Sequence, residues 1–373
     1  MKTETQKPNQ KKSGFSAFLA RKNITISAKA YFIDAMGAMA MGLFASLLIG
    51  TIISTVGKYT HIPYLSEQLV QIGAYASGVA GPAMAAAIAY ALKAPPLVLY
   101  SMLAVGYAAN ALGGAGGPLA VLVIAIVATE IGKAVSKETK IDILVTPLVT
   151  ILVGAFLSIL CAPYIGKVAS WIGNLIMWAT ECQPLIMGVI IAVVVGIALT
   201  LPISSAAICA ALSLTGLAGG AALAGCCCHM VGFAVISFHE NKWGGLVSQG
   251  LGTSMLQMPN LVKHPLCWLP SILASAITGP VATCVFRLQM NGAPVSSGMG
   301  TCGLVGPIGV ITGWLEPSEA AAAQGAAAVT PGVMDWIGLL LVCIVLPATL
   351  SWCFAAVMRK LGWIRENDLK LDL

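Results

Sequence analysis

The chain has 373 residues, 58% of them hydrophobic and only 9% charged, with a formal net charge of +6. Soluble domains carry roughly 25% charged residues, so this composition cannot build a water-facing surface. A soluble enzyme, a nucleic-acid-binding domain and a disulfide-stapled secreted module are excluded.

Residues 1–30 form a basic, amphipathic segment holding Lys2, Lys7, Lys11, Lys12, Arg21, Lys22 and Lys29, seven of the 20 Lys/Arg. Residues 15–22, with aromatic and basic side chains at helical spacing, are expected to lie along the inner membrane surface. The first apolar block starts near residue 31, too late and too long for a cleavable signal peptide. Ten crossings are then predicted from apolar blocks of about 20 residues, the length that matches a ~30 Å hydrocarbon core. They cover residues 31–57, 69–92, 95–112, 119–135, 143–164, 185–201, 206–238, 246–259, 269–286 and 333–358. An outer loop at 61–67, an outer amphipathic piece at 169–180 and a polar turn at 239–243 interrupt them. The block at 246–259 is short and polar for a lipid-facing span. Residues 359–373 form a tail with Arg359, Lys360, Arg365 and Lys370. Basic residues are retained on the cytoplasmic side, so both termini are placed there and the number of crossings is even.

The fold expected is therefore an all-α polytopic membrane protein, with a transport domain over 31–358. Gly78-Val-Ala-Gly-Pro-Ala-Met-Ala-Ala-Ala87 is similar to Gly216-Leu-Ala-Gly-Gly-Ala-Ala-Leu-Ala-Gly225, in segments that cross in opposite directions. This predicts two inverted five-helix repeats, about 31–164 and 185–358, a recurrent transporter plan. Small residues needed for close helix packing would give the same likeness.

The chemistry is sought where helix is hard to form. Residues 291–309 hold six glycines and two prolines, and each glycine lowers helix propensity by about 1 kcal/mol relative to alanine. Broken helix at membrane depth is tolerated only inside the protein or along a watery cavity. A re-entrant loop presenting Ser296, Ser297, Gly298, Gly300, Thr301 and Gly303 to a small polar solute is expected, against the alternative of an ordinary outer loop. Residues 113–117 are a smaller break, with Asn110 beside it; no Lys-Ser/Thr follows, so it is not a nucleotide-binding P-loop. Gln249, Thr253 and Gln257 recur at helical intervals, and serve either a hydroxyl-rich or zwitterionic solute or bonding between helices. Ionisable residues within spans default to function, and the candidates are Asp34, Glu130, Glu181, His229, Glu240, Arg287 and Asp335; Asp34 and Asp335 near span ends and Glu130 one turn from Lys133 read rather as structural pairs, and His229 rather as a packed, hydrogen-bonded residue. Of these Glu240, with its neighbour His239, and Arg287 gain most from lining a cavity. Cys226, Cys227 and Cys228 follow no metal spacing and read as small packing residues. No hydrolase elbow, zinc-protease motif or paired carboxylates occur, so neither catalysis nor a cofactor is expected.

Tyr31-Phe-Ile-Asp-Ala-Met-Gly-Ala-Met-Ala-Met-Gly-Leu-Phe-Ala-Ser-Leu-Leu-Ile-Gly-Thr51 and Ser297-Gly-Met-Gly-Thr-Cys-Gly-Leu-Val-Gly306 resemble the signatures of phosphotransferase-system enzyme IIC-like proteins of the PfoR type, a group also labelled toxin regulators. The resemblance runs from residue 15 to about 363. It implies a bacterial inner-membrane permease, homodimeric, for a carbohydrate or related small polar solute. In such systems separate IIA and IIB proteins supply phosphate, and no IIA- or IIB-like domain is attached here. A membrane-embedded solute sensor that regulates gene expression is the alternative.

Overall fold

The computed structural model describes residues 14–60 and 62–371; Lys2, Lys7, Lys11, Lys12 and His61 lie outside the described residues. Helix α1 (Gly14–Arg21) is moored at its end. Arg21 Nη2 lies 2.7 Å from Glu138 Oε1, and Lys22 contacts both that carboxylate and the Ser136 carbonyl. Helix α2 (Ala30–Lys58) is apolar over 29 residues. Helix α3 (Pro63–Gly78) opens on a proline at its first turn, where the missing N–H has no partner to lose. It runs back along α2. A Cβ on Gly50 would fall 2.6 Å from the Gly73 carbonyl oxygen, and one on Gly57 2.9 Å from Leu69 Cβ. Such backbone contact through small residues replaces the hydrophobic drive that lipid cannot supply. Helix α4 (Ala80–Ala91) bends from α3 by 45°.

The apolar stretch Pro96–Val135 is a hairpin. Helix α5 (Pro96–Gly113) ends where Gly114 takes φ +53°, and helix α6 (Gly117–Val135) returns. A Cβ on Gly132, late in α6, would sit 2.8 Å from Val98 at the start of α5. Helix α7 (Asp142–Thr180) has 39 residues, about 58 Å at 1.5 Å per residue. The expected fifth span and the amphipathic piece after it are thus one continuous rod. Nothing between them breaks the helix, and Ala169, Ile172 and Ile176 recur at helical spacing to bury against Ile208 and Cys209. Ala162 packs into the core that residues 30–128 share with residues from 233 to 369, so α7 joins both cores.

Helices α8 (Pro184–Thr200) and α9 (Ser205–Ala211) follow. Helix α10 (Gly216–Ile236) buries 16 of its 21 residues and is the axis of the second half. Ser213 and Gly216, both at positive φ, separate α9 from α10, so the predicted block 206–238 divides there. After α11 (Phe238–Val247) the chain is broken. Ser248–Gly252 is over-wide, Thr253 is extended and Ser254–Gln257 is tight, before α12 (Met258–Lys263). Helix α13 (Pro265–Val285) leads to α14 (Pro294–Ser297), α15 (Val305–Leu315), α16 (Glu319–Ala323) and α17 (Val333–Lys360).

Among the described residues helix is the only regular structure, with no strand and one isolated bridge, in which Gly216 and Met290 exchange two N–H···O bonds of 3.0 Å. Six segments are long and apolar enough to cross a membrane, or seven with the bent α3–α4 pair taken as one span. The ten predicted crossings exceed this because the two arms of the Pro96–Val135 hairpin count there as one segment, α8 has only 17 residues and 246–259 is not a continuous helix.

Candidate functional site

The glycine-rich segment leaves the Met290 bridge, makes one helical turn at Pro294–Ser297 and reverses before α15. Gly300 has φ +56°, a region costly for residues with a Cβ. A Cβ there would meet Cys226 Cβ at 2.9 Å and Met230 Sδ at 3.1 Å. Cys226 is the midpoint of α10, so the tip of the segment lies at mid-length of the most buried helix. Three hydroxyls clamp it. Ser205 Oγ donates to the Gly298 carbonyl at 2.7 Å, Ser297 Oγ to the Leu214 carbonyl at 2.7 Å, and Thr301 Oγ1 to the Gly250 carbonyl. Ser297 and Thr301 are thereby committed to structure, and Gly303 approaches Ile52 of α2.

Beside this segment lies a cavity of about 450 Å³, within the size range of small-molecule sites. One wall is α2 with Thr51, Ser54, Thr55 and Lys58, continued by Ser77 of α3. The opposite wall comes from Ser204 before α9, Ser296 of α14 and Thr312 of α15, with Met299 and Ile308 as apolar floor. Thr51 Oγ1 donates to Leu47 O at 2.7 Å, Thr55 Oγ1 to Thr51 O at 2.8 Å and Thr312 Oγ1 to Ile308 O at 3.0 Å. With their protons engaged on their own helices, these oxygens face the cavity as acceptors. Ser296 is 5% exposed, and its Oγ has no hydrogen-bond partner among the described residues. Lys58 is the one charged side chain of the wall.

Of the residues expected from sequence, only Ser296 lines this cavity. Thr51, Ser54, Thr55, Lys58, Ser77, Ser204 and Thr312 were not anticipated. The sequence does carry a signal for three of them, since Thr51, Thr55 and Lys58 fall at i, i+4 and i+7 on one helical face. Gly298 and Gly300 shape the neighbouring turn.

Gln249 and Gln257 are brought together elsewhere. Gln257 Nε2 donates to Gln249 Oε1 at 2.9 Å and to the Leu369 carbonyl at 3.0 Å, while Asn260 Nδ2 donates to Gln257 Oε1 at 2.9 Å and to the Lys370 carbonyl at 2.8 Å. Asn241 Nδ2 donates to Leu369 O, and its Oδ1 accepts from the Leu371 amide, both at 2.8 Å. The amide face therefore grips residues 369–371 of its own chain. Thr253 Oγ1 accepts from the Met255 amide at 3.1 Å. Glu240 Oε1 pairs with Arg359 Nη2 at 2.7 Å beneath the surface, while His239 is exposed. Asn110 sits against Gly117 at the α5–α6 turn.

The other ionisable candidates also lie apart from the cavity. Asp34 borders a 160 Å³ gap with Lys263 and Lys370. Glu130 pairs with Lys133 at 2.9 Å, and Arg287 and Asp335 border a 180 Å³ indentation. Glu181 ends α7, exposed. His229 Nδ1 lies 2.8 Å from Thr200 Oγ1 and 3.3 Å from Trp268 Nε1, tying α8, α10 and α13. Cys226, Cys227 and Cys228 are fully buried in α10.

Residues 33–371 match the family described as "Phosphotransferase system, EIIC". No curated protein matches the chain.

Proposed function

The chain belongs to the phosphotransferase-system EIIC family, and on that premise we propose that it carries a carbohydrate or related polyhydroxylated solute through the cavity between α2 and α14–α15. As a member of that family it is a multi-pass membrane permease, and membership favours carriage over the sensing alternative. The observation that carries the reading is the convergence of seven hydroxyl side chains on one cavity beside broken helix. Acceptor oxygens in a partly apolar wall suit a solute rich in O–H donors.

We place the protein in the bacterial inner membrane as a homodimer with ten crossings and both termini cytoplasmic, served by separate IIA and IIB proteins. Two inverted halves are supported by the paired motifs, since each opens a helix directly after a break: Ala80 begins α4 after Gly78, and Gly216 begins α10. On this placement the cavity belongs to the outer end of α2, and the seam filled by residues 369–371 to its inner end. Gly37 of the seam and Thr55 of the cavity are about 27 Å apart along α2. One end is walled off while the other is open, as alternating access requires.

A thermal-stability screen of the purified chain tests the assignment. Hexoses, hexitols or sugar acids should raise the melting temperature, and Ser296→Leu, which fills the cavity, should abolish that shift. Stabilisation by amino acids or inorganic anions alone, or an unchanged carbohydrate shift in Ser296→Leu, would overturn it.

A further inference from the structure

We propose that the cavity selects a polyhydroxylated acid, a sugar bearing a carboxylate or comparable anionic group, and that Lys58 reads the charge. The proposal rests on the assignment of this cavity as the solute site and adds the solute's charge to it.

Three observations converge. First, the described wall of the cavity contains one charged side chain, the ammonium of Lys58, and neither carboxylate nor carboxamide nor aromatic ring. Carboxylates and amides that bridge vicinal hydroxyls, and rings that stack on a sugar face, are the usual means of holding a neutral sugar tightly, and none is present. Second, Lys58 is exposed and forms no ion pair among the described residues, so its ammonium is free to meet a solute at the rim of the cavity. Third, the remaining polar groups divide by role. Thr51, Thr55 and Thr312 present acceptors, which suit the hydroxyls of a polyol and repel a carboxylate. The free donors are the unpartnered, 95%-buried Ser296 hydroxyl, the Ser204 hydroxyl, whose oxygen accepts from the Ala207 amide, and the Lys58 ammonium, the one donor among them that carries charge. A solute with hydroxyls along its length and an anionic end meets both halves of this pattern, whereas a neutral polyol leaves Lys58 without a counter-charge. Lys58 sits near the end of α2 on a flexible four-carbon stem, exposed at the rim of the cavity, where its attraction for an anion is sensitive to salt.

The test uses the full chain in lipid nanodiscs and isothermal titration with paired probes at fixed ionic strength: D-gluconate against D-glucitol, and D-glucuronate against D-glucose. The acids should bind at least about tenfold more tightly than their neutral counterparts. Lys58→Gln should erase the difference, Lys58→Arg should keep it, and added salt should narrow it in the wild-type chain. Equal affinity for acid and neutral probe, an acid preference that survives Lys58→Gln, or binding of none of the four overturns the proposal. Ser296→Leu separates the two readings. If it abolishes binding of probes that show no acid preference, the cavity stands and the charge assignment falls; if it leaves all binding intact, both fall.

Discussion

Gln257 shows how much can depend on one buried amide. Its side chain joins Gln249, Asn260 and the Leu369 carbonyl at once, with no exposure to solvent. Gln257→Leu would leave Gln249 Oε1 without a partner in a dry site, at about 1–3 kcal/mol, and would take one hydrogen bond each from the Leu369 carbonyl and the Asn260 amide, which keep Asn241 and the Lys370 carbonyl. A clearly lowered melting temperature by differential scanning fluorimetry is the expected outcome, and an unchanged one would mean that the network does not form. Gly300 makes the converse point. Gly300→Val places a branched side chain at positive φ against Cys226, a conformation strained by about 1–3 kcal/mol. The variant should still purify as a single species by size exclusion and should lose carbohydrate-induced thermal stabilisation. The glycines of this segment were legible as helix breakers from sequence. The committed partners of Ser297 and Thr301 were not, because Leu214 and Gly250 lie 83 and 51 residues away.

At the scale of elements, α1 is held by charge. Hydrogen bonding from Lys22 is the main cause that holds the Glu138 carboxyl below the usual carboxylate range, and Arg21 adds to it. A carboxyl depressed on docking contributes its full share above the ordinary carboxylate pKa, and that share is lost as pH falls through the depressed value. Limited trypsin digestion should therefore cut at Arg21 and Lys22 slowly at neutral pH in the wild type and readily in Glu138→Gln. Equal rates would show that the pair does not moor α1. Helix type and apolar blocks were read correctly along most of the chain, since 3.6-residue patterning and proline-started helices are local signals. The continuity of α7 was missed because its second half is amphipathic by composition yet buried against α9, a partner that sequence does not reveal.

For the whole molecule, the cavity was illegible for a topological reason. Its walls come from residues 51–58, 77, 204 and 296–312, and each piece alone is an ordinary serine or threonine in an apolar helix. The amide face was visible at its spacing, but its occupant was hidden in a tail that reads as solvated. Leu369 is fully buried in the same apolar cluster as Cys267, Ile33's neighbour Met36 and Leu256. Removing residues 364–373 should open this seam, so that Cys267 reacts with a maleimide that leaves it untouched in the intact chain, as mapped by peptide mass spectrometry. Protection of Cys267 in the shortened chain would show that the seam is closed by the helices themselves.

The grip on residues 369–371 also sets an order in time. Asn241, Gln257 and Asn260 leave the ribosome 110–130 residues ahead of the groups they hold, an interval of about 5–25 s at ordinary translation rates. During that interval the nascent chain carries a row of amides with nothing to bind. Biogenesis must therefore shelter this trough, by water or by the insertion machinery, until the last stretch of polypeptide arrives to fill it.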